Sequence, residues 1–131
     1  MTQIEHRQTE HRQPEHRQPA PLTSERPWGA FEQLSLNQTS TVKIITVQPH
    51  SRLSLQRHEH RSELWQVLDG PMDIEVDGRG WTAEHAEHVW VPAGATHRMG
   101  NSGDERARIL EVAFGHFDED DIERLHDDYR R

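Results

Sequence analysis

Short runs in which apolar and polar residues alternate fill most of the chain after residue 40. Alternation with a period of two is typical of a β-strand that buries one face. Six runs predict strands, at residues 41–47, 52–60, 63–69, 72–76, 87–91 and 107–114. Turn-forming residues, such as Asp77-Gly78, separate them. Many short strands joined by tight turns predict an all-β sandwich or barrel.

The last stretch, residues 118–131, has a different period. Ile122, Leu125 and Tyr129 recur at i, i+3 and i+7, which places them on one side of a helix. Acidic residues open the stretch and two arginines close it, an order that suits the helix dipole. We therefore expect a short C-terminal helix that caps or flanks the barrel.

The first 21 residues contain a repeat, EHRQ, with a period of five. Neither a helix nor a strand gives this period a common face, so His6, His11 and His16 cannot line up. Apolar residues that could offset the entropy of ordering are nearly absent. We expect residues 1–21 to be a disordered tail and residues 22–131 to be one folded domain. Weak metal scavenging by the tail is the alternative.

Composition narrows the classes of function. The net charge of −8 argues against a nucleic-acid partner, which needs a basic surface. The chain has no cysteine, which excludes disulfides and thiolate sites. No apolar run has the length of a signal peptide or a transmembrane helix, so we expect a cytoplasmic protein without a membrane partner.

Residues 54–70, SLQRHEHRSELWQVLDG, concentrate groups that bind metals. Gln56, His58 and His60 come at every second position and would share one face of a strand. Glu63 follows on the next strand, and His97 follows a proline-glycine turn. A polar row that faces water is the simple alternative. Two imidazoles, a carboxylate and an amide oxygen are nevertheless a plausible ligand set for a divalent transition metal.

Residues 91–101, VPAGATHRMGN, resemble the second motif of the cupin superfamily, G-x5-P-x-G-x2-H-x3-N. Pro92, Gly94, His97 and Asn101 match it, and Ala86 stands in place of the leading glycine.

The first cupin motif, G-x5-H-x-H-x3,4-E-x6-G, fits in one good register only. That register puts Gln56 and His58 at the two ligand positions, followed by Glu63 and Gly70, with His50 in place of the leading glycine. The eye-catching pair of His58 and His60 is therefore not the motif's pair.

The cupin resemblance implies a single double-stranded β-helix (jelly-roll) barrel that holds one divalent metal. Zinc is the first choice, with Mn, Co, Ni or Fe as alternatives. The implied ligands are Gln56, His58, Glu63 and His97, with His60 one strand step further along the same face. A barrel with a polar pocket and no metal is the alternative.

A narrower resemblance covers residues 26–34 (RPWGAFEQL), 52–70, 91–101, 109–115 and 119–131. Together these segments are similar to the type II phosphomannose isomerase domain, usually the C-terminal part of enzymes that also carry mannose-1-phosphate guanylyltransferase. The resemblance implies a metal-dependent isomerase that interconverts mannose 6-phosphate and fructose 6-phosphate through an enediol. It also implies a homodimer, since cupins commonly pair through barrel edges. We expect no guanylyltransferase step from these 131 residues.

The isomerase reaction needs a general base and a cationic partner for the phosphate. Glu111, beside apolar residues on a predicted strand, and His60 are the rival candidates for the base. Lys43, the only lysine, is either a surface side chain or a substrate contact. The arginines that flank the predicted ligands are further phosphate candidates: Arg52, Arg61 and Arg98.

Two other functions stay open. His58, His97 and Glu63 form the two-histidine, one-carboxylate set of iron-dependent oxygenases, although a Gln56 ligand would fill a position that dioxygen needs. A non-catalytic sugar-phosphate-binding cupin is the other, because fold alone does not settle function.

Overall fold

The computed structural model describes residues 22–129, and all regular secondary structure in that part of the chain is β-strand. Its twelve strands are β1 (Leu22–Arg26), β2 (Gly29–Gln33), β3 (Ser40–Val47), β4 (Ser51–Arg52), β5 (Leu55–Arg57), β6 (Arg61–Asp69), β7 (Met72–Val76), β8 (Arg79–Ala83), β9 (His88–Val91), β10 (His97–Asn101), β11 (Ala107–Gly115) and β12 (Glu123–His126). The predicted tail over residues 1–21 lies outside the described residues. Between residues 22 and 129, no helix has the length and apolar character needed to cross a membrane.

The strands form two main sheets and a separate hairpin. One sheet has the order β3-β11-β6-β9, and the other has the order β12-β5-β10-β7-β8, with β4 also paired to β10. The hairpin joins β1 and β2. This arrangement confirms the all-β prediction.

The main core lies between the two sheets. Side chains alternate along each strand, so Trp65 and Val67 of β6, Ile109 of β11, and Met72 and Ile74 of β7 meet there, each almost fully buried. Burying such a side chain stabilises the fold by about 1.5–3 kcal/mol. The core thereby fixes the inward faces of both sheets relative to each other.

A second apolar cluster lies on the other face of the four-stranded sheet. Its members are Leu64, Val112 and Phe114, with Leu34 and Trp90 packed against them. The segment that follows β2 therefore covers part of this face. Val42 and Ile44 on the edge strand β3 stay 58% and 56% exposed.

The predicted C-terminal helix is wrong. Glu123–His126 form β12, which pairs with β5 instead of closing hydrogen bonds within a helix. The acidic residues that suggested a helix start form a single turn, in which the Asp121 amide donates to the Asp118 carbonyl at 3.0 Å. Leu125 and Tyr129 are 44% and 51% exposed, so the helical spacing of apolar residues does not mark a buried face.

The predicted strand over residues 52–60 is broken into β4 and β5. Its continuation to His60 is wrong, because residues 59–60 form a bend before β6 begins. His60 is exposed in this bend and does not continue the face of His58.

The two residues that replace motif glycines have the backbone conformation that glycine favours. His50 has a φ of 58° and Ala86 has a φ of 72°. Left-handed φ values are easy for glycine and strained for other residues. The turns of both motifs are therefore kept although their glycines are not.

Candidate metal centre

Three of the four predicted ligands meet at one end of the space between the sheets. His58 follows β5, Glu63 lies on β6, and His97 begins β10. The nitrogen and oxygen atoms that they offer lie within 4.8 Å of one another, and all three side chains are buried. The Nε2 atoms of His58 and His97 are 3.5 Å and 3.9 Å from the two oxygens of Glu63.

Backbone carbonyls orient both histidines. Nδ1 of His58 lies 2.7 Å from the carbonyl oxygen of Asp121, and Nδ1 of His97 lies 3.0 Å from that of Ala95. A carbonyl only accepts, so each Nδ1 carries the proton and each Nε2 presents its lone pair to the centre. Burial lowers the pKa of His58, which favours the neutral, ligating form of the ring.

Glu63 is held as a carboxylate despite its burial. Burial alone would raise its pKa, but His97, His58, a hydrogen bond from Trp65 and the charge of Arg61 together hold the pKa below its ordinary value. The indole Nε1 of Trp65 donates to Oε1 of Glu63 at 2.9 Å. The neighbours thus keep an ionised carboxylate beside the Nε2 atoms of the two histidines.

Gln56, the fourth predicted ligand, lies next to this cluster. It is the cross-strand partner of His97, and residues that face each other across a ladder share a face of the sheet. Its Nε2 donates to the hydroxyl of Ser54 at 3.2 Å. The carbonyl oxygen of the same amide is the atom that could bind a cation.

This donor set fits a divalent transition metal. Two imidazole nitrogens and a carboxylate oxygen bind such ions at about 2.0–2.2 Å, so small movements of the three side chains would close them around one ion. The carbonyls of Asp121 and Ala95, which accept from the two histidines, and the indole of Trp65, which donates to Glu63, make hydrogen bonds of the kind that orient metal ligands. The same set matches the two-histidine, one-carboxylate pattern.

Glu111 lies beside the cluster on β11. It is buried, and burial, the charge of Glu63 and a hydrogen bond with Glu63 raise its pKa to about 8. Two carboxyl groups in contact cannot both ionise easily, so Glu111 carries the proton while Glu63 carries the charge. The predicted base therefore carries a proton below about pH 8, and it accepts a proton only in its ionised form.

Two cations and an aromatic ring border the same region. Lys43 is the cross-strand partner of Glu111, and its side chain is 39% exposed. Its Nζ lies 4.3 Å from the centre of the Phe117 ring, and Cζ of Arg61 lies 4.2 Å from the same centre. Lys43 also approaches Glu119 at 3.6 Å. Of the three arginine candidates, Arg61 is the one beside the predicted ligands.

The structure does not bring Arg52, Arg98 or His60 into this cluster. Arg52 donates to Asp128 at 2.8 Å and Arg98 donates to the carbonyl of Leu53 at 3.1 Å. Both arginines line a groove formed by β4, β10, β7 and β8. Arg98 directly follows the buried His97 on β10, so the two side chains lie on opposite faces of the sheet. His60 is exposed in its bend, so Glu111 is the candidate base that the geometry favours.

Three residues of the site were missed by sequence analysis. Trp65 carries a usable signal, since it lies two residues after Glu63 on the same strand face. Phe117 and Asp121 carry none, because their contacts join segments about 60 residues apart. Asp121 accepts from the backbone amides of Glu59 and His60, both at 2.9 Å, and so ties the turn before β12 to the segment beside His58.

The sequence matches a known family along most of its length. The sequence model of the family described as mannose-6-phosphate isomerase C-terminal matches residues 9–127. The alginate biosynthesis protein AlgA of Pseudomonas aeruginosa is 39% identical over 107 residues, 81% of this chain and 22% of AlgA. The mannose-1-phosphate guanylyltransferase ManC of Salmonella typhimurium is 36% identical over 107 residues, with the same coverage of 81% and 22%. This chain thus spans about a fifth of the length of these relatives.

Solved structures with the same fold include two sugar-related proteins. A sugar phosphate isomerase of the cupin superfamily from Silicibacter pomeroyi aligns with a TM-score of 0.55 and 24% identity, over 62% of this chain and 53% of that one. The capsular polysaccharide assembling protein CapF of Staphylococcus aureus aligns with a TM-score of 0.62 and 19% identity, over 82% of this chain and 34% of CapF. The fold is similar to that of the Silicibacter pomeroyi cupin, and because the family model covers residues 9–127, the chain belongs to the mannose-6-phosphate isomerase C-terminal family.

Proposed function

We propose that this chain is a metal-dependent aldose-ketose isomerase that interconverts mannose 6-phosphate and fructose 6-phosphate through an enediol. The observation that carries the proposal is a buried Glu111 whose carboxyl contacts Glu63 of the cluster of His58, Glu63 and His97. A proton-transfer group beside a metal site is the minimum that this reaction needs. Family membership and the likeness to a sugar phosphate isomerase support the same reading.

His58, Glu63 and His97 would hold one divalent metal, with Gln56 as a fourth ligand and zinc as our first choice. When bound, the ion would polarise the carbonyl of the open-chain sugar. The two sheets would close around this site as a jelly-roll barrel, which shields the reacting carbons from water.

Glu111 would move the proton. In its ionised form, the carboxylate of Glu111 takes the proton from C2 of mannose 6-phosphate, the electron pair of that bond forms the C1–C2 double bond, and the carbonyl electrons move to O1, which gains a proton to give the enediol. The same carboxyl then returns its proton to C1, while the hydroxyl on C2 loses its proton and becomes the carbonyl of fructose 6-phosphate, so the net transfer between the oxygens is from O2 to O1. In the metal-free protein the pKa of Glu111 is about 8, so part of this group is ionised near neutral pH and can accept a proton.

Lys43 would meet the phosphate. It lies opposite Glu111 on the neighbouring strand, yet its side chain is 39% exposed, so it can contact a group at the mouth of the site. Arg61 is buried beside Glu63 and would reach the substrate only from inside. The phosphate, with a charge near −2, favours a pair of cations over one.

We also propose a homodimer. Val42 and Ile44 are exposed on β3, which is an edge strand of its sheet. Exposed apolar residues on an edge strand favour pairing with another strand, and a second copy of this chain offers the same edge.

A coupled assay with mannose 6-phosphate tests the reaction. The zinc-loaded protein should form fructose 6-phosphate, His97→Ala should abolish it with loss of metal, and Glu111→Gln should keep the metal while losing about 10²–10⁴-fold in kcat. Glu105→Gln, an exposed carboxylate, is the matched control. Sugar-phosphate binding without turnover at any metal loading would instead indicate a binding module, and oxygen consumption with ferrous iron would indicate an oxygenase.

A further inference from the structure

The guanidinium of Arg61 contacts two of the three predicted metal ligands. Its Nη2 lies 3.2 Å from Nε2 of His58, and its Nε donates to Oε2 of Glu63 at 3.2 Å. Arg61 is 7% exposed, so these contacts are sheltered from water.

The contact with His58 excludes metal binding by the same atom. Nδ1 of His58 carries the ring proton because it faces the carbonyl of Asp121, so Nε2 has the one available lone pair. That lone pair can accept a hydrogen bond from Arg61 or bind an ion, but not both. A guanidinium is always charged and also repels a divalent cation at this distance.

Arg61 has further contacts on the side away from the ligands. Its Nη1 donates to the carbonyl of Asp118 at 3.2 Å, and its Cζ lies 4.2 Å from the centre of the Phe117 ring. These contacts belong to the segment between β11 and β12. They offer the guanidinium hydrogen-bond and cation–π partners that do not depend on His58.

We propose that Arg61 is a built-in competitor that sets the metal affinity of this site. The guanidinium neutralises Glu63 and caps His58, and a metal binds only as Arg61 moves off Nε2 toward Phe117 and Asp118. A role limited to positioning Glu63 predicts the opposite effect of removing Arg61, because a loosened ligand binds metal more weakly.

Zinc titration of the full chain by calorimetry, with chelator competition for tight binding, distinguishes the two roles. Arg61→Gln should bind Zn²⁺ at least about tenfold more tightly than the wild type, because both a competing donor and a like charge are lost. Arg108→Gln, which breaks the pair between Arg108 on β11 and Asp69 on β6, should leave the affinity within about twofold. Equal or weaker binding by Arg61→Gln overturns the proposal. No substrate is present, so the outcome is independent of whether the chain isomerises sugar phosphates.

Thermal unfolding gives a second readout. Without metal, Arg61→Gln leaves the buried Glu63 without its cation and should melt below the wild type. Added Zn²⁺ should raise its melting temperature by more than it raises that of the wild type. If Arg61→Gln folds only in the presence of zinc, its affinity is measured by adding chelator to the zinc-loaded variant and following the loss of bound zinc. Arg61→Lys keeps the positive charge but lacks the planar guanidinium that contacts His58 and Glu63 together, so it should bind zinc with intermediate affinity. Zinc binding weaker than that of the wild type would contradict the proposed competition.

Discussion

Replacing Glu111 with Gln should change how the stability of the metal-free protein depends on pH. The pKa of Glu111 is raised from 4.5 to about 8 by burial and by Glu63. The folded state therefore keeps a proton that the unfolded state releases. Stability that is present at low pH is consequently lost as the pH rises from the unfolded pKa toward the folded one. Gln is neutral throughout and its amide can still donate to Glu63, so it removes this dependence.

The expected size follows from the two pKa values. One pKa unit corresponds to about 1.4 kcal/mol, so the linked free energy changes by about 3 kcal/mol between roughly pH 5 and pH 8. Over that range the free energy of unfolding of the wild type should fall relative to Glu111→Gln by this amount. Contributions from titrating groups that do not contact Glu111 cancel in the difference between the two proteins, whereas Glu63 titrates together with Glu111 and is part of the effect.

Urea unfolding in the presence of a chelator measures the effect, with curves recorded at about pH 5, 6, 7 and 8. The control Glu105→Gln removes an exposed carboxylate and should run parallel to the wild type. If Glu111→Gln also runs parallel, the carboxyl is not protonated in the folded protein and cannot serve as described.

Three further changes test other parts of the account. Ala86→Gly relieves a residue with a φ of 72° and should raise stability by about 1 kcal/mol in thermal melts, whereas Ala30→Gly in β2 should lower it; a loss at both positions would show that Ala86 is not strained. Asp121→Ala should weaken zinc binding by about 10- to 100-fold in calorimetry by loosening the segment that orients His58, and unchanged affinity would refute that role. Val42→Lys should convert a dimer into a monomer in light scattering, and a monomeric wild type would refute the homodimer.

The strand periodicity was enough to predict most of the fold. The runs at residues 41–47, 63–69 and 107–114 correspond to β3, β6 and β11, because apolar residues of each run are buried in the main core and, for β6 and β11, also in the second cluster on the other face. The segments that were assigned wrongly or missed do not show this relation between sequence pattern and burial. The helical spacing around Leu125 is overridden by pairing of β12 with β5, a partner about 70 residues away. Hairpin strands β1 and β2 are mostly exposed and leave no alternation to find.

The cluster of His58, Glu63 and His97 could be predicted because the cupin motifs encode turns as well as side chains. His58, Glu63 and His97 meet as expected, even though His50 and Ala86 replace the motif glycines. Ranking the arginines could not succeed from sequence. Arg61 contacts His58 and Glu63 because the backbone bends at residues 59–60. The strand periodicity of the sequence predicts an uninterrupted strand there.

Deuterium transfer is the most direct test of the central claim, that a carboxyl beside the metal moves the proton. The zinc-loaded protein is incubated with mannose 6-phosphate in deuterated water, and the fructose 6-phosphate is examined by NMR and mass spectrometry. We expect deuterium at C1 of the product, formed by the wild type and by Glu105→Gln, and about 10²–10⁴-fold slower product formation by Glu111→Gln. No product from the metal-loaded wild type, or product formed at the full rate by Glu111→Gln, would contradict the account.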